Sequence, residues 1–227
     1  MIGERGRDAA PAASLDPYTR ARERMIDVLV ARGIRDQRVL DVMAKVPRHE
    51  FVPEPFTAKA YGDHALSIGA DQTISQPYMV ALMTSMLELT PESRVLEIGA
   101  GSGYQTAVLS RMAAYVYGIE RIAELARAAM SRLNALRITN ATIKCFDGTI
   151  GWSEHAPYDA VLVAAGGPSV PEPLIQQLKV GGRLVAPVGT DRTQRLVRLT
   201  KTPQGIVEED LGGCIFVKLI GRYGYER

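Results

Sequence analysis

Four short segments carry residues whose types and spacing can do chemistry. The first is Val95-Leu96-Glu97-Ile98-Gly99-Ala100-Gly101-Ser102-Gly103-Tyr104, a glycine-rich turn between an apolar run and a helical pattern. Glycines let a backbone turn sharply and approach a ligand closely. The spacing is GxGxG, with Tyr104 where a dinucleotide fingerprint has its third glycine, so pyrophosphate is poorly served and a nicotinamide cofactor ranks second. Glu97 stands two residues before Gly99, where a carboxylate repels a pyrophosphate but suits an ammonium or sulfonium cation. Glu120 follows Gly99 by 21 residues at the end of the next apolar run, where an acidic side chain bridges the two hydroxyls of an adenosine ribose. Together these three features favour S-adenosylmethionine.

Asp147-Gly148 ends a third apolar run and reads either as a contact to the adenine amino group or as a plain turn. Ser75 lies where a helix N-cap belongs, with Pro77 in the first turn. A helix N-terminus there offers positive potential to an anionic group. Other chemistries find little support. His49, His64 and His155 are scattered and no two share metal-ligand spacing, so no metal is expected. Ser102 lies in Gly-Ser-Gly rather than a GxSxG elbow, and no GxxxxGK[ST] phosphate loop occurs.

The elements that must position these residues follow from periodicity. Asp16-Pro17 signals a helix start, and Tyr18, Ala21, Met25, Val28 and Leu29 recur at helical spacing until Gly33. A second helix covers 36–46. Five Pro and Gly residues punctuate 47–71, which reads as loop, and the stretch 47–74 is expected to close over the ligand and exclude water. A helix follows Ser75 to about Leu89. Strands are expected at 94–98, 114–120, 141–146, 158–165 and 182–188, with helices at 104–112, 121–136 and 172–178 between them. Strands at 195–202 and 213–220, around a turn at Pro203-Gln204-Gly205, are expected to close the chain as antiparallel material. The expected fold is α/β: a Rossmann-like, doubly wound, mostly parallel sheet with an antiparallel C-terminal strand and an N-terminal helical and loop extension. Ligands of such sheets sit beyond the carboxyl ends of the strands. Residues 1–15 show no period and read as a disordered lead-in. Residues 16–227 read as one domain, with an N-terminal part at 16–90 and a cofactor-binding core at 91–227.

Composition sets the outer limits. A chain of 227 residues with 46% hydrophobic and 23% charged residues can bury one sizeable core. Lys+Arg 27 against Asp+Glu 25 leaves a net charge of +2, which gives nucleic-acid binding no support. The apolar runs are far short of the roughly 20 residues that span a bilayer. Two cysteines, Cys145 and Cys214, cannot form a disulfide framework. A cytoplasmic monomer is expected.

The run from Arg94 to Leu109 resembles motif I of class I methyltransferases that use S-adenosylmethionine. More specifically, Val46-Pro47-Arg48-His49-Glu50-Phe51-Val52-Pro53, Gln72-Thr73-Ile74-Ser75-Gln76-Pro77, Asp147-Gly148 and Pro157-Tyr158-Asp159-Ala160 resemble the protein-L-isoaspartate O-methyltransferase family. The resemblance extends from about Tyr18 to Phe216. It implies methyl transfer from S-adenosylmethionine to the free α-carboxylate of L-isoaspartyl residues in damaged proteins and peptides, a repair reaction. It places Ser75 in the active site and Gln72, Thr73, Ile74 and Ser75 near cofactor and substrate. Around the cofactor it places Glu97, Gly99, Gly101, Gly103, Glu120, Arg121, Asp147 and Gly148. Tyr78 and Val80 occupy the stretch where some members carry a histidine. The competing readings are a carboxylate methyltransferase specialised for one peptide or small molecule, and an NAD-linked oxidoreductase.

Overall fold

The computed structural model describes residues 17–190 and 192–226. The lead-in at 1–15 and the start signal at Asp16 lie outside the described residues. Helices α1 (Thr19–Ala31) and α2 (Gln37–Lys45) open the chain. Asp36 caps α2 by accepting the Arg38 N–H at 3.0 Å, and Val39, Leu40 and Met43 form its buried stripe.

The segment read as loop contains more structure than expected. Two 3₁₀ turns, Arg48–Phe51 and Glu54–Lys59, precede a hairpin of β1 (Leu66–Gly69) and β2 (Gln72–Ile74). Ala70 and Asp71 turn that hairpin with φ of 51° and 56°. Tight hairpins need such positive φ values, and Ala-Asp carries none of the Asn-Gly signal that would have announced one.

Helix α3 (Pro77–Met86) then leads into the main sheet. Its N-cap is Gln76 without a side-chain bond, which corrects the expectation that Ser75 caps it. The cap comes instead from Asp63, which accepts the Tyr78 N–H at 2.9 Å from fifteen residues upstream. Asp63 in turn pairs with Arg32, whose guanidinium lies 3.6 Å over the Tyr78 ring.

Strands β3 (Arg94–Ile98), β4 (Tyr115–Glu120), β5 (Ala141–Cys145), β6 (Tyr158–Val163), β7 (Leu178–Gly189), β8 (Gln194–Thr202) and β9 (Gly205–Cys214) form one sheet in the order β5-β4-β3-β6-β7-β8-β9. The first five are parallel, and β8 and β9 run antiparallel at one edge. Helices α4 (Tyr104–Ser110) and α5 (Ala123–Ala135) carry the crossovers from β3 to β4 and from β4 to β5. The chain then returns past β3 to β6, so the strand order reverses at β3, where α/β folds bind ligands. Helix α6 (Glu172–Gln176) links β6 to β7. Lys201 donates to the Ile175, Gln176 and Leu178 carbonyls around the C-terminus of α6, as a cation there should.

Two apolar clusters cover the sheet faces. Val95, Val116, Ala160 and Val185 pack with α1 to α5, while Leu96, Ile119, Val161 and Leu184 pack with Leu174 of α6 and Leu219 of the tail. Alternate residues of each strand thus enter opposite cores, so these strands read as continuous apolar runs.

The C-terminal expectation needs correction. The last strand lies at Gly205–Cys214, and 215–220 is not sheet-edge material. The charged run Glu208-Glu209-Asp210 masks β9 in the sequence and protects an exposed edge. Arg198 faces Glu209 across the ladder and binds it at 2.8 Å, and Arg195 pairs with Glu208. Residues after Cys214 fold back instead, where Lys218 bridges Gly166 in parallel beyond the end of β6. Among the described residues no helix is long and apolar enough to cross a membrane.

Candidate active site

A groove opens at the carboxyl ends of β3, β4 and β6. The glycine loop forms one wall. Gly99 donates to the Ile119 carbonyl at 2.8 Å, so the loop is tied to β4 as soon as it leaves β3. Gly99, Gly101 and Gly103 all have positive φ, of 84°, 54° and 88°. At Gly103 a Cβ would also lie 3.2 Å from the Ala129 Cβ, so the third glycine of this loop lets α4 start close against α5.

Glu120 organises that wall from the neighbouring strand. One carboxylate oxygen accepts the Gly101 N–H at 2.9 Å and the other accepts the Ile122 N–H at 2.8 Å. The side chain is buried yet lines the groove. Gln72, Thr73, Gly99, Gly101, Arg121 and Gly148 line it as well.

Glu97 sits elsewhere. It is fully buried behind the loop, beside Thr106 of α4, and neither carboxylate oxygen has a hydrogen-bond partner among the described residues. Burial pushes its carboxyl up to about 7, with the Thr106 hydroxyl opposing the shift and the charge of Glu120 adding to it. Taking up a proton, or a cation placed nearby, relieves the cost of such a buried carboxylate.

Ile74, Ser75, Gly103 and Asp147 also lie outside the lining of the groove. Ile74 is buried in the core beneath β2. Asp147 is turned toward the C-terminal tail: one oxygen accepts the Thr149 N–H and hydroxyl at 2.9 and 2.7 Å, and the other accepts the Arg222 N–H at 2.8 Å. Of its two open readings, the geometry matches the turn. The adjoining Gly148 does line the groove, and a Cβ there would come within 2.4 Å of Ile98.

The tail itself was missed by sequence reasoning. Val217, Lys218, Leu219 and Ile220 form the opposite wall, held by bonds from Gly166 N–H to Val217 O and from Leu219 N–H to Gly166 O, both 2.8 Å. Gln194 clamps the start of this wall, donating to the Phe216 carbonyl at 3.0 Å and accepting its N–H at 2.8 Å. The local sequence alternates like a strand, and only the tertiary fold shows which edge it meets.

A second, wider cavity of about 820 Å³ adjoins the groove. The two share Thr73, Ala164 and Val217. Ser75, half-buried, lines this second cavity together with Tyr78, Ile215 and Phe216. Arg32 and Arg192 supply its charge, and no described carboxylate lines it. The first turn of α3 also faces the cavity, but Asp63 occupies its Tyr78 N–H and offsets the charge of Arg32, which leaves Arg192 as the positive group whose charge Asp63 does not offset. Among the described residues no three His, Cys, Asp or Glu side chains converge as a metal site.

Comparison with known proteins decides the family. The family model for protein-L-isoaspartate(D-aspartate) O-methyltransferase matches residues 20–224. The chain belongs to the protein-L-isoaspartate O-methyltransferase family. It is 57% identical over 207 residues to protein-L-isoaspartate O-methyltransferase 2 of Geotalea uraniireducens, covering 90% of this chain and 95% of that one. With the Geobacter metallireducens protein-L-isoaspartate O-methyltransferase it shares 54% identity over 207 residues, 90% of this chain and 96% of the relative. A solved protein-L-isoaspartate O-methyltransferase superposes with a TM-score of 0.82 at 31% identity, over 89% of this chain and 67% of the other. A family structure from Plasmodium falciparum, in complex with S-adenosyl-L-homocysteine, superposes with a TM-score of 0.77 at 30% identity, over 88% and 98% of the two chains.

Proposed function

We propose that this protein transfers the methyl group of S-adenosylmethionine to the free α-carboxylate of L-isoaspartyl residues in damaged proteins and peptides, and that its two joined cavities divide the work. The observation that carries the reading is their junction at Thr73, Ala164 and Val217, with the glycine loop and Glu120 on one side and Ser75 with two arginines on the other. On this reading Gln72, Thr73, Gly99, Gly101, Glu120, Arg121 and Gly148 hold the cofactor. Gly103 shapes its loop, and Glu97 supplies a negative field behind it. The cofactor brings a methyl group made electrophilic by a sulfonium.

The chain's own residues have a positioning task. A carboxylate with a pKa of about 4 is ionised at neutral pH, so no base has to remove a proton before attack. The substrate oxygen forms its bond to the methyl carbon while the methyl–sulfur bond breaks, and two opposite charges are neutralised. A site for this reaction must align the partners and exclude bulk water. Arg192 attracts the anion, Arg32 lines the same cavity in its pair with Asp63, and the Ser75 hydroxyl orients the carboxylate by donating a hydrogen bond. The apolar groove side chains Ile98, Ile119 and Leu219 would keep bulk water from a donor held there. The peptide nitrogen then attacks the ester carbonyl spontaneously and expels methanol to give a succinimide, whose hydrolysis by water returns part of the material as aspartate.

The protein works on this reading as a cytoplasmic monomer, with residues 16–227 as one domain. Its near-neutral charge of +2 suits diverse substrates, since bulk charge then selects none of them. The test is incubation with radiolabelled S-adenosylmethionine and matched peptides that differ only in isoaspartate against aspartate. Label confined to the isoaspartyl peptide is expected. Equal labelling, or none despite cofactor binding, overturns the reading.

A further inference from the structure

Arg48 is the largest fully buried side chain of the described chain, and the activity as derived above gives it no task. It stands in the 3₁₀ turn Arg48–Phe51, inside the segment between α2 and the β1–β2 hairpin. A buried cation is expensive unless it is paired, and among the described residues no carboxylate bonds to this one. Its partners are main-chain carbonyls: Nε donates to Ala60 O at 2.7 Å and Nη2 donates to Ser75 O at 2.7 Å. Its face lies 4.7 Å from the centre of the Tyr104 ring. Tyr104 is the first residue of α4 and follows Gly103 directly, so one guanidinium touches both the peptide of Ser75 and the residue that ends the glycine loop. Only a planar fork bonds two separate carbonyls while stacking on an aromatic ring.

We propose that Arg48 is a positioning residue for methyl transfer, holding the Ser75 peptide in register with the glycine loop so that the Ser75 hydroxyl meets the substrate carboxylate. Ser75 follows β2 directly and precedes the N-cap Gln76, and its side chain does not cap α3, whose Tyr78 N–H donates to Asp63 instead. The bond from Arg48 therefore fixes the Ser75 peptide in the second cavity, two residues from Thr73 at the junction. A lysine, with a compact ammonium, holds one carbonyl without the fork.

The inference rests on the active-site reading of Ser75, and a double-mutant cycle separates the two. Arg48→Lys, Ser75→Ala and the double variant are compared for kcat on an isoaspartyl peptide, with S-adenosylhomocysteine affinity and melting temperature measured alongside. If Arg48 acts through Ser75, Arg48→Lys lowers kcat about 10-fold in the natural background and less than about 2-fold beside Ser75→Ala, with S-adenosylhomocysteine affinity unchanged. Equal losses in the two backgrounds overturn the Arg48 inference and leave Ser75 in place. A Ser75→Ala variant with undiminished kcat overturns the Ser75 reading itself. Arg48→Gln, which keeps one amide donor without charge, serves as the second variant. If both Arg48 variants lose S-adenosylhomocysteine binding along with their fold, Arg48 is a core residue and the inference is refuted.

Discussion

Replacing Glu97 with glutamine should stabilise the ligand-free protein and weaken its hold on the cofactor. The carboxyl is fully buried with both oxygens unpartnered, and burial moves its pKa from the ordinary value of 4.5 to about 7. Because the folded pKa is raised, the folded state holds the proton more tightly than the unfolded chain. The penalty of Glu97 is therefore absent well below pH 4.5, grows as pH rises from there to about 7, and is complete above that. At 1.36 kcal/mol per pKa unit, natural protein should lose about 2 kcal/mol relative to Glu97→Gln between about pH 5.5 and about pH 8. For a chain of this size the gap in melting temperature should widen by about 4–8 °C across that range. Thermal denaturation of both proteins at matched ionic strength reads it directly. A bound cation reverses the balance, so S-adenosylmethionine should bind the natural protein more tightly as pH passes 7, with no such trend in the variant. A melting gap that stays constant with pH would refute the buried, unpaired carboxylate.

Further outcomes follow from the same geometry. Ser75→Ala should lower kcat on an isoaspartyl peptide about 10- to 100-fold, the value of one charge-assisted hydrogen bond, while melting temperature stays fixed because Ser75 caps nothing. Asp63→Ala should do the opposite of this, costing about 1–2 kcal/mol in a denaturant titration through loss of the α3 cap and its partner Arg32. Gly103→Ala should cost about 1–2 kcal/mol for a left-handed alanine and loosen cofactor binding measured by calorimetry, since the new methyl meets Ala129. Hydrogen exchange across 47–74 should slow when S-adenosylhomocysteine is added, and identical protection would remove the closing role of that segment.

The parallel half of the sheet was legible because its strands are buried on both faces. Val95, Leu96 and Ile98 form a run that no surface strand would carry, and the glycines after it fix a turn whose φ values few other residues tolerate. Leu125, Ala126, Ala129 and Leu133 announced α5 in the same way. What escaped depended on distant partners. Nothing local to Ser75 says that Asp63 caps the following helix. Asp147 carries the same two letters, Asp-Gly, whether it meets a ligand or the Arg222 backbone. The strand β9 is hidden by Glu208, Glu209 and Asp210, whose charges pair across the sheet rather than break it. The tail wall at 217–220 has strand-like alternation, and only Gln194 and Gly166 reveal where it docks. Glu97 shows the reverse case. Its place before the glycine loop was evident in sequence, but its complete burial and missing partners were not.

The central claim is that the groove and the arginine-lined cavity bring a methyl donor and an isoaspartyl carboxylate together at their junction. The most direct measurement follows one isoaspartyl peptide by mass spectrometry in the presence of the enzyme and S-adenosylmethionine. A methyl ester should appear on the isoaspartyl peptide alone, decay to the succinimide, and give rising aspartyl peptide over successive rounds. An ester formed equally on the aspartyl control, or an isoaspartyl peptide left unchanged by enzyme with bound cofactor, would contradict the account.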